Sequence, residues 1–194
     1  GTMNPLFQGS NKQSISFKDL LSHYAGLPAG LPFYKAALNQ AQKPSEVYFR
    51  KMPEENFTKR LGDSLYIRND FSDIIMKMIV ESRLSPKKEY RYSDLTFMIL
   101  KDYLEKTTGK TLDVLTQDNF YRSIGMNNSS FNPLTKFDKN RIPPTETDSY
   151  FRKQLLQGYV NDLSAALEGG VSGHAGVFSN AMDVAKMMQL FLQK

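Results

Sequence analysis

The hydrophobic positions of this chain fall into helical spacing more often than into any other. Phe71, Ile74, Ile75, Met78 and Ile79 recur at i, i+3, i+4, i+7 and i+8 behind Asp70, an N-cap residue type, and predict an amphipathic helix over 71–83. Val184, Met187, Met188, Phe191 and Leu192 repeat the interval after Ser179 and Asn180, with Ser179 as the expected cap. That pattern runs into Lys194 without a glycine or proline to stop it, as a cut chain would. Between the two, Leu95, Met98, Ile99 and Tyr103 share a face of a helix over 94–107, Gly109 ends it, and a further helix is expected over 111–122. A short helix is expected over 17–23, FKDLLSH. Strand patterns are scarce: SLYI at 64–67 is the best and VFS at 177–179 is weaker. Prolines and glycines gather at 26–33, 132–147 and 168–176, which read as loops, and there is no repeat or low-complexity segment. The pattern predicts a mainly α fold with few short strands.

The length, 194 residues, suits one domain or a little more, and 40% hydrophobic with 12% aromatic residues excludes a disordered chain. No apolar run is long enough to span a bilayer, and the start, GTMNPLFQGS, lacks the basic flank and apolar stretch of a signal peptide. The net charge of +5 arises from 25 basic and 20 acidic residues in mixed order, which reads as a solvated surface and not as a nucleic-acid face. Cysteine is absent, which removes disulfides, thiolate metal sites and a cysteine nucleophile together.

Several motif lookalikes fail on context. TGKT at 108–111 resembles the end of a phosphate-binding loop, but its first glycine would fall at Leu104 and it joins two helices. GGVSGHAG at 169–176 is not a nucleophile elbow, since His174 stands two residues after Ser172, nor is it a dinucleotide fingerprint. His23 and His174, the two histidines, lie in separate segments with no carboxylate at ligand spacing, so no metal or other cofactor is expected. Ser85-Pro86-Lys87-Lys88 matches Ser-x-x-Lys formally, but that chemistry needs both residues on one helix face and this stretch reads as a connection.

Tyr92, Ser93 and Asp94 stand where a polar stretch turns into an apolar helix. A phenol beside a helix start is a candidate general acid or base, because backbone N–H groups and the helix dipole favour its phenolate. Spacing alone favours the plainer alternative, an aromatic packed where a loop meets a helix, with Ser93 and Asp94 as N-cap and first-turn residues. The four glycines between 169 and 176 fit a close-packed loop, and equally a loop whose backbone approaches a ligand.

Three segments together resemble the serine β-lactamase-related family of class C β-lactamases, DD-peptidases and esterases. FKDLLSHYAGLP at 17–28 is similar to its Leu-Leu-x-His-x-x-Gly-Leu-Pro segment, and YRYSDLTFMILKDYLEKTTGKTLDVLTQDNFYRSIGMNNSSFNP to its long Tyr-Ser-Asn block. GVSGHAGVFSNAMDVAKMMQLFL at 170–192 resembles its Gly-His-Ala-Gly loop and following helix. The order and separations agree, and the likeness covers nearly the whole chain.

The resemblance implies that Tyr92 helps move protons beside a nucleophilic serine, with Asp94 as orienter in the place of the family's asparagine. An ionised aspartate accepts but cannot donate an amide hydrogen bond, so a charged lysine partner suits it better than a substrate carbonyl. Ser93, Gly173, His174 and Gly176 are the implied substrate-binding residues. No nucleophile helix precedes FKDLLSH, and no Lys-Thr-Gly or His-x-Gly strand follows the last helix. The chain is therefore expected to be one truncated domain over 1–194, the helical portion of the α/β β-lactamase/DD-peptidase fold with its main sheet largely missing. On its own it should be inactive. The resemblance also implies a small-molecule or peptide substrate (a β-lactam, a D-alanyl peptide or an ester), a parent acting in the bacterial periplasm or cell envelope, and a homodimer through helix faces left exposed. The alternatives are a catalytically dead relative that binds cell-wall peptide or a partner protein, and a piece that folds alone as a helical domain.

Overall fold

The structure, a computed structural model, describes residues 7–87 and 89–193. The opening residues of GTMNPLFQGS, the Lys88 of the Ser-x-x-Lys lookalike and the expected helix terminus at Lys194 lie outside the described residues.

Helix α1, Phe17–Leu21, opens on a capping box: Ser16 accepts from the Asp19 N–H and the Asp19 carboxylate accepts from the Ser16 N–H. Helix α2 is Phe71–Glu81. Asp70 stands at its N-cap position but turns its carboxylate to Arg68 and makes no cap bond. The face it buries is Phe71, Ile75, Met76 and Ile79, rotated from the expected one so that Met76 is inside while Ile74 and Met78 are half-buried. Helix α3, Asp94–Thr108, is the longest, and Gly109 ends it in the left-handed region at φ 68°. Its first two turns bury Leu95, Met98 and Ile99. The helix expected over 111–122 is split into α4, Leu112–Thr116, and a π turn over Gln117–Tyr121.

Strands are more numerous than the sequence pattern implies. β1, Phe49–Arg50, and β2, Lys59–Gly62, flank β3, Leu65–Ile67, in an antiparallel sheet that pairs Phe49 and Lys59 with Ile67. β4, Pro144–Asp148, and β5, Gln154–Gln157, form an antiparallel pair that takes in the end of the 132–147 stretch expected to be loop. VFS contributes a single bridge, Ser130 to Phe178. Helix α5, Leu163–Leu167, follows, and α6, Ala181–Leu192, completes the described elements. Asn180, not Ser179, caps α6 by accepting from the Asp183 N–H, while Ser179 pairs its hydroxyl with Ser129.

One apolar core joins α1, α2, α3, α5 and the three-stranded sheet through Leu20, Phe71, Ile75, Leu95, Met98 and Leu167. Helix α6 adds nothing to it; of its residues Asp183 alone is buried.

The β4–β5 turn closes on a buried ion pair. Arg152 donates to Asp148 Oδ2 and to the carbonyls of Val160 and Asn161, each at 2.6 Å. The other Asp148 oxygen accepts from the Phe151 and Tyr150 N–H groups at 2.8 and 3.0 Å. Arg152→Ala strands a buried carboxylate, so urea unfolding should show a loss of about 3–5 kcal/mol, and the double change Asp148→Asn with Arg152→Met a smaller one.

Candidate functional site

The start of α3 is where the predicted site residues gather. Ser93 is 1% exposed; its hydroxyl donates to the Pro28 carbonyl at 2.7 Å and its N–H to His23 Nδ1 at 3.2 Å. It makes no cap bond and presents no surface to a ligand, so in this structure it fixes the backbone instead of contacting a substrate. The Asp94 N–H donates to the Ala29 carbonyl at 2.9 Å, which ties the same turn to the 26–33 loop.

These bonds place Tyr92 at the surface. The residue is 58% exposed and its ring leans on the His23 ring at 4.7 Å between centroids. His23 also meets Tyr90 at 5.9 Å and Phe97 at 5.5 Å, and occupies the left-handed region at φ 59°.

The 170–176 loop reaches α3 from the other side. A Cβ at Gly173 would stand 2.0 Å from the Phe97 carbonyl oxygen, so glycine is required for the loop to lie against the helix. Gly176, at φ 117°, turns the chain where a Cβ would stand 2.5 Å from the Gly170 carbonyl. The space left by both glycines is therefore filled by the protein's own backbone and not by a ligand. The loop's outer side, from Ser172 to Val177, is one wall of a groove of about 700 Å³ whose other walls are Phe17 and Leu21 of α1, Phe97, Leu100 and Tyr103 of α3, and Leu112 of α4. A groove of this size and apolar lining suits a small organic molecule.

His174 is held at both ring nitrogens. Nε2 lies 2.9 Å from Asp162 Oδ1, and Nδ1 lies 2.8 Å from Ser172 Oγ, whose hydroxyl donates to Glu168 Oε2. The other Glu168 oxygen accepts from Lys101 at 3.2 Å, and Lys101 lies 3.7 Å from Glu105. Lys59 completes the cluster and donates to Ser72 Oγ at 2.8 Å; burial, and then the charge of Lys101, push its ammonium pKa down. Burial pulls the His174 pKa down, but the hydrogen bond and charge of Asp162, and the charges of Asp94 and Glu168, outweigh it and the net shift is upward. For Asp162 burial is again opposed, here by His174 and the Ala165 N–H, and its carboxyl is held below the usual range.

The structure thus sets Gly173 and His174 against α3 within reach of the Asp94 charge, with Tyr92 and Ser93 on the turn that opens α3 and Gly176 three residues along the loop from Gly173. Lys101, Glu168 and Ser172 were not singled out from the sequence as site residues, and neither was Asp162. Their partners are 67, 4 and 12 residues away along the chain, and no motif spacing signals the set. Among the described residues no three potential ligands converge on a metal position.

The two shifts set a pH window. Folded His174 holds its proton more tightly than the unfolded chain does, a contribution complete below about pH 6.5 and lost as pH rises through the folded value. Asp162 contributes above about pH 4 and loses it as pH falls. The urea midpoint should therefore be higher between those limits than on either side, and His174→Gln should flatten the alkaline limb.

The sequence model of the Beta-lactamase family matches residues 4–194. A protein of Escherichia coli (strain K12) named "Putative D-alanyl-D-alanine carboxypeptidase" is 31% identical over 201 residues, covering 97% of this chain and 41% of that protein. An N-acetylmuramyl-L-alanine amidase of Bacillus subtilis (strain 168) is also 31% identical, over 94% of this chain and 39% of its own length. The chain thus spans about two fifths of these relatives. The octameric penicillin-binding protein homologue from Pyrococcus abyssi superposes with a TM-score of 0.60 at 15% identity, over 100% of this chain and 39% of that one, and shares the fold. With the family model matching almost end to end, this chain belongs to the Beta-lactamase family.

Proposed function

We propose that the chain is the central portion of a serine hydrolase that forms and hydrolyses an acyl-enzyme, with the attacking serine and the Lys-Thr-Gly strand on polypeptide outside these 194 residues. The observation that carries this is the placement of Tyr92: an exposed phenol fixed by His23 and the Ser93 turn, next to Asp94, in a chain of this family. In such a reaction the serine oxygen bonds to the substrate carbonyl carbon, its proton passes through the phenol to the leaving amine or alkoxide, and water then releases the acyl group. Asp94, at the first turn of α3, accepts from a cationic partner such as the nucleophile's lysine. Ser85 is no candidate nucleophile, because it lies in the connection between α2 and α3 with its carbonyl held close to Gly26.

The relatives' names refer to D-alanyl peptides and to a muramyl amide, both cell-wall chemistry, and support an acylated cell-wall peptide as substrate and the cell envelope as the place of action. Among the described residues no helix is long and apolar enough to cross a membrane. The other reading, a non-catalytic peptide-binding relative, draws on Asp94, an aspartate in the place of the family's asparagine, whose charge also acts on His174.

Fluorescent penicillin and a fluorophosphonate separate the two. A longer form of the protein carrying a Ser-x-x-Lys helix should label, this chain alone should not, and Tyr92→Phe in the longer form should slow acylation by about 10²–10⁴-fold. No labelling of the longer form favours the binding module, and labelling untouched by Tyr92→Phe removes the role given to the phenol.

Self-association belongs to the same reading. Met188, Phe191 and Leu192 of α6 are 49%, 70% and 78% exposed, with Met187 half-buried beside them, and two such stripes can cover one another. Size-exclusion chromatography with light scattering should report a dimer of the isolated chain, and Phe191→Glu should return a monomer.

A further inference from the structure

The contacts at Ser172 impose a proton count. Its oxygen touches Glu168 Oε2 on one side and His174 Nδ1 on the other, and each contact needs one hydrogen between the heavy atoms. The serine hydroxyl supplies one. The remaining ring nitrogen has no proton to lend, because Nε2 faces the Asp162 carboxylate and must itself donate. If the imidazole is neutral and Glu168 ionised, one of the two Ser172 contacts becomes acceptor against acceptor. A second proton, on Nδ1 or on the Glu168 carboxyl, closes the chain.

We propose that Glu168 and Ser172 are positioning residues which, with His174, latch the 172–176 loop against α3 through one shared proton, and that loss of this proton frees the loop. The charged groups facing the latch come from every side: Asp162 at the start of α5, Asp94 at the start of α3, Lys101 and Glu105 farther along α3, and Lys59 on β2. Asp162, Asp94 and Glu168 all favour a proton on the ring. The loop is poised to respond, because most of what holds it in place is polar or backbone: Gly173 and Gly176 bring backbone against backbone, and the small, half-buried Ala175 is the side chain the loop packs against the core. Since the same residues wall the groove, the proton sets the shape of the groove as well. The latch is a property of the loop; its bearing on turnover rests on the hydrolase reading above.

The test is ¹⁵N relaxation of the Gly173, Ala175 and Gly176 amides in this chain, with the His174 ring signals followed in the same samples from about pH 5 to about pH 9. In the wild-type chain the order parameters should fall from about 0.85 to below about 0.6 as the ring deprotonates. Glu168→Gln supplies the missing hydrogen from its amide while its oxygen still accepts from Lys101, so its loop should stay ordered across the range. Ser172→Ala should be mobile throughout, with its far-UV spectrum unchanged. The proposal is overturned if wild-type order is constant across the His174 titration, or if Glu168→Gln follows the wild-type curve. Should Glu168→Gln not fold, the wild-type curve decides alone. Absent labelling of the longer protein would remove the hydrolase reading and leave these relaxation results standing.

Discussion

The ion pair of Lys101 with Glu168 is the constraint on which the site depends. Both side chains are almost wholly removed from water, at 8% and 4% exposure, and neither charge is tolerable there alone. Glu168 is satisfied by Lys101 on one oxygen and Ser172 on the other, and this fixes the end of α5, the middle of α3 and the root of the glycine loop relative to one another. Once those three are fixed, Gly173 lies on the Phe97 carbonyl, and His174 finds Asp162. The apolar core beneath supplies bulk stability; the polar cluster specifies the arrangement.

On the outer side of α3 the same turn is held by neutral bonds. Ser93 to Pro28, Ser93 to His23 and Asp94 to Ala29 make the 23–29 segment a clamp on the helix start, with the Tyr92 phenol left outside it. The proposed proton carrier thus rests on a rigid base while its oxygen remains free, a division of labour that suits a group acting on molecules from solution. His23 and His174, in separate segments of the sequence, flank one helix turn through Phe97: one lies tilted against its ring, the other follows the glycine pressed on its carbonyl.

Helices α2 and α3 were legible because their apolar residues recur with the helical period, and Gly109 can take the left-handed turn that ends α3. Of the strands, β3 was legible as SLYI at 64–67, and the others were not. Four of the five β4 residues are exposed, and β2 reads Lys-Arg-Leu-Gly, so backbone pairing and not apolar alternation holds them in place. The 111–122 helix was read through its own break because Gln117–Tyr121 stays helical in backbone and only widens its hydrogen bonding. Of the site, Tyr92, Asp94, Gly173 and His174 came from resemblance to a family pattern. Glu168 and Lys101 had no such signal: a glutamate after Leu167 and a lysine among helix residues look like surface until the fold buries them.

Helix α6 is attached in an unusual manner. The Asp183 carboxylate accepts from the Asn128 N–H at 2.7 Å and the Ser129 hydroxyl at 3.0 Å, and Lys186 donates to the Gly125 carbonyl. A joint made from hydrogen bonds, with no hydrocarbon of its own in the core, exposes little apolar area when it opens. Its detachment therefore carries almost no heat-capacity change, so its equilibrium constant follows a nearly straight van't Hoff line while the body of the protein unfolds along a curved one.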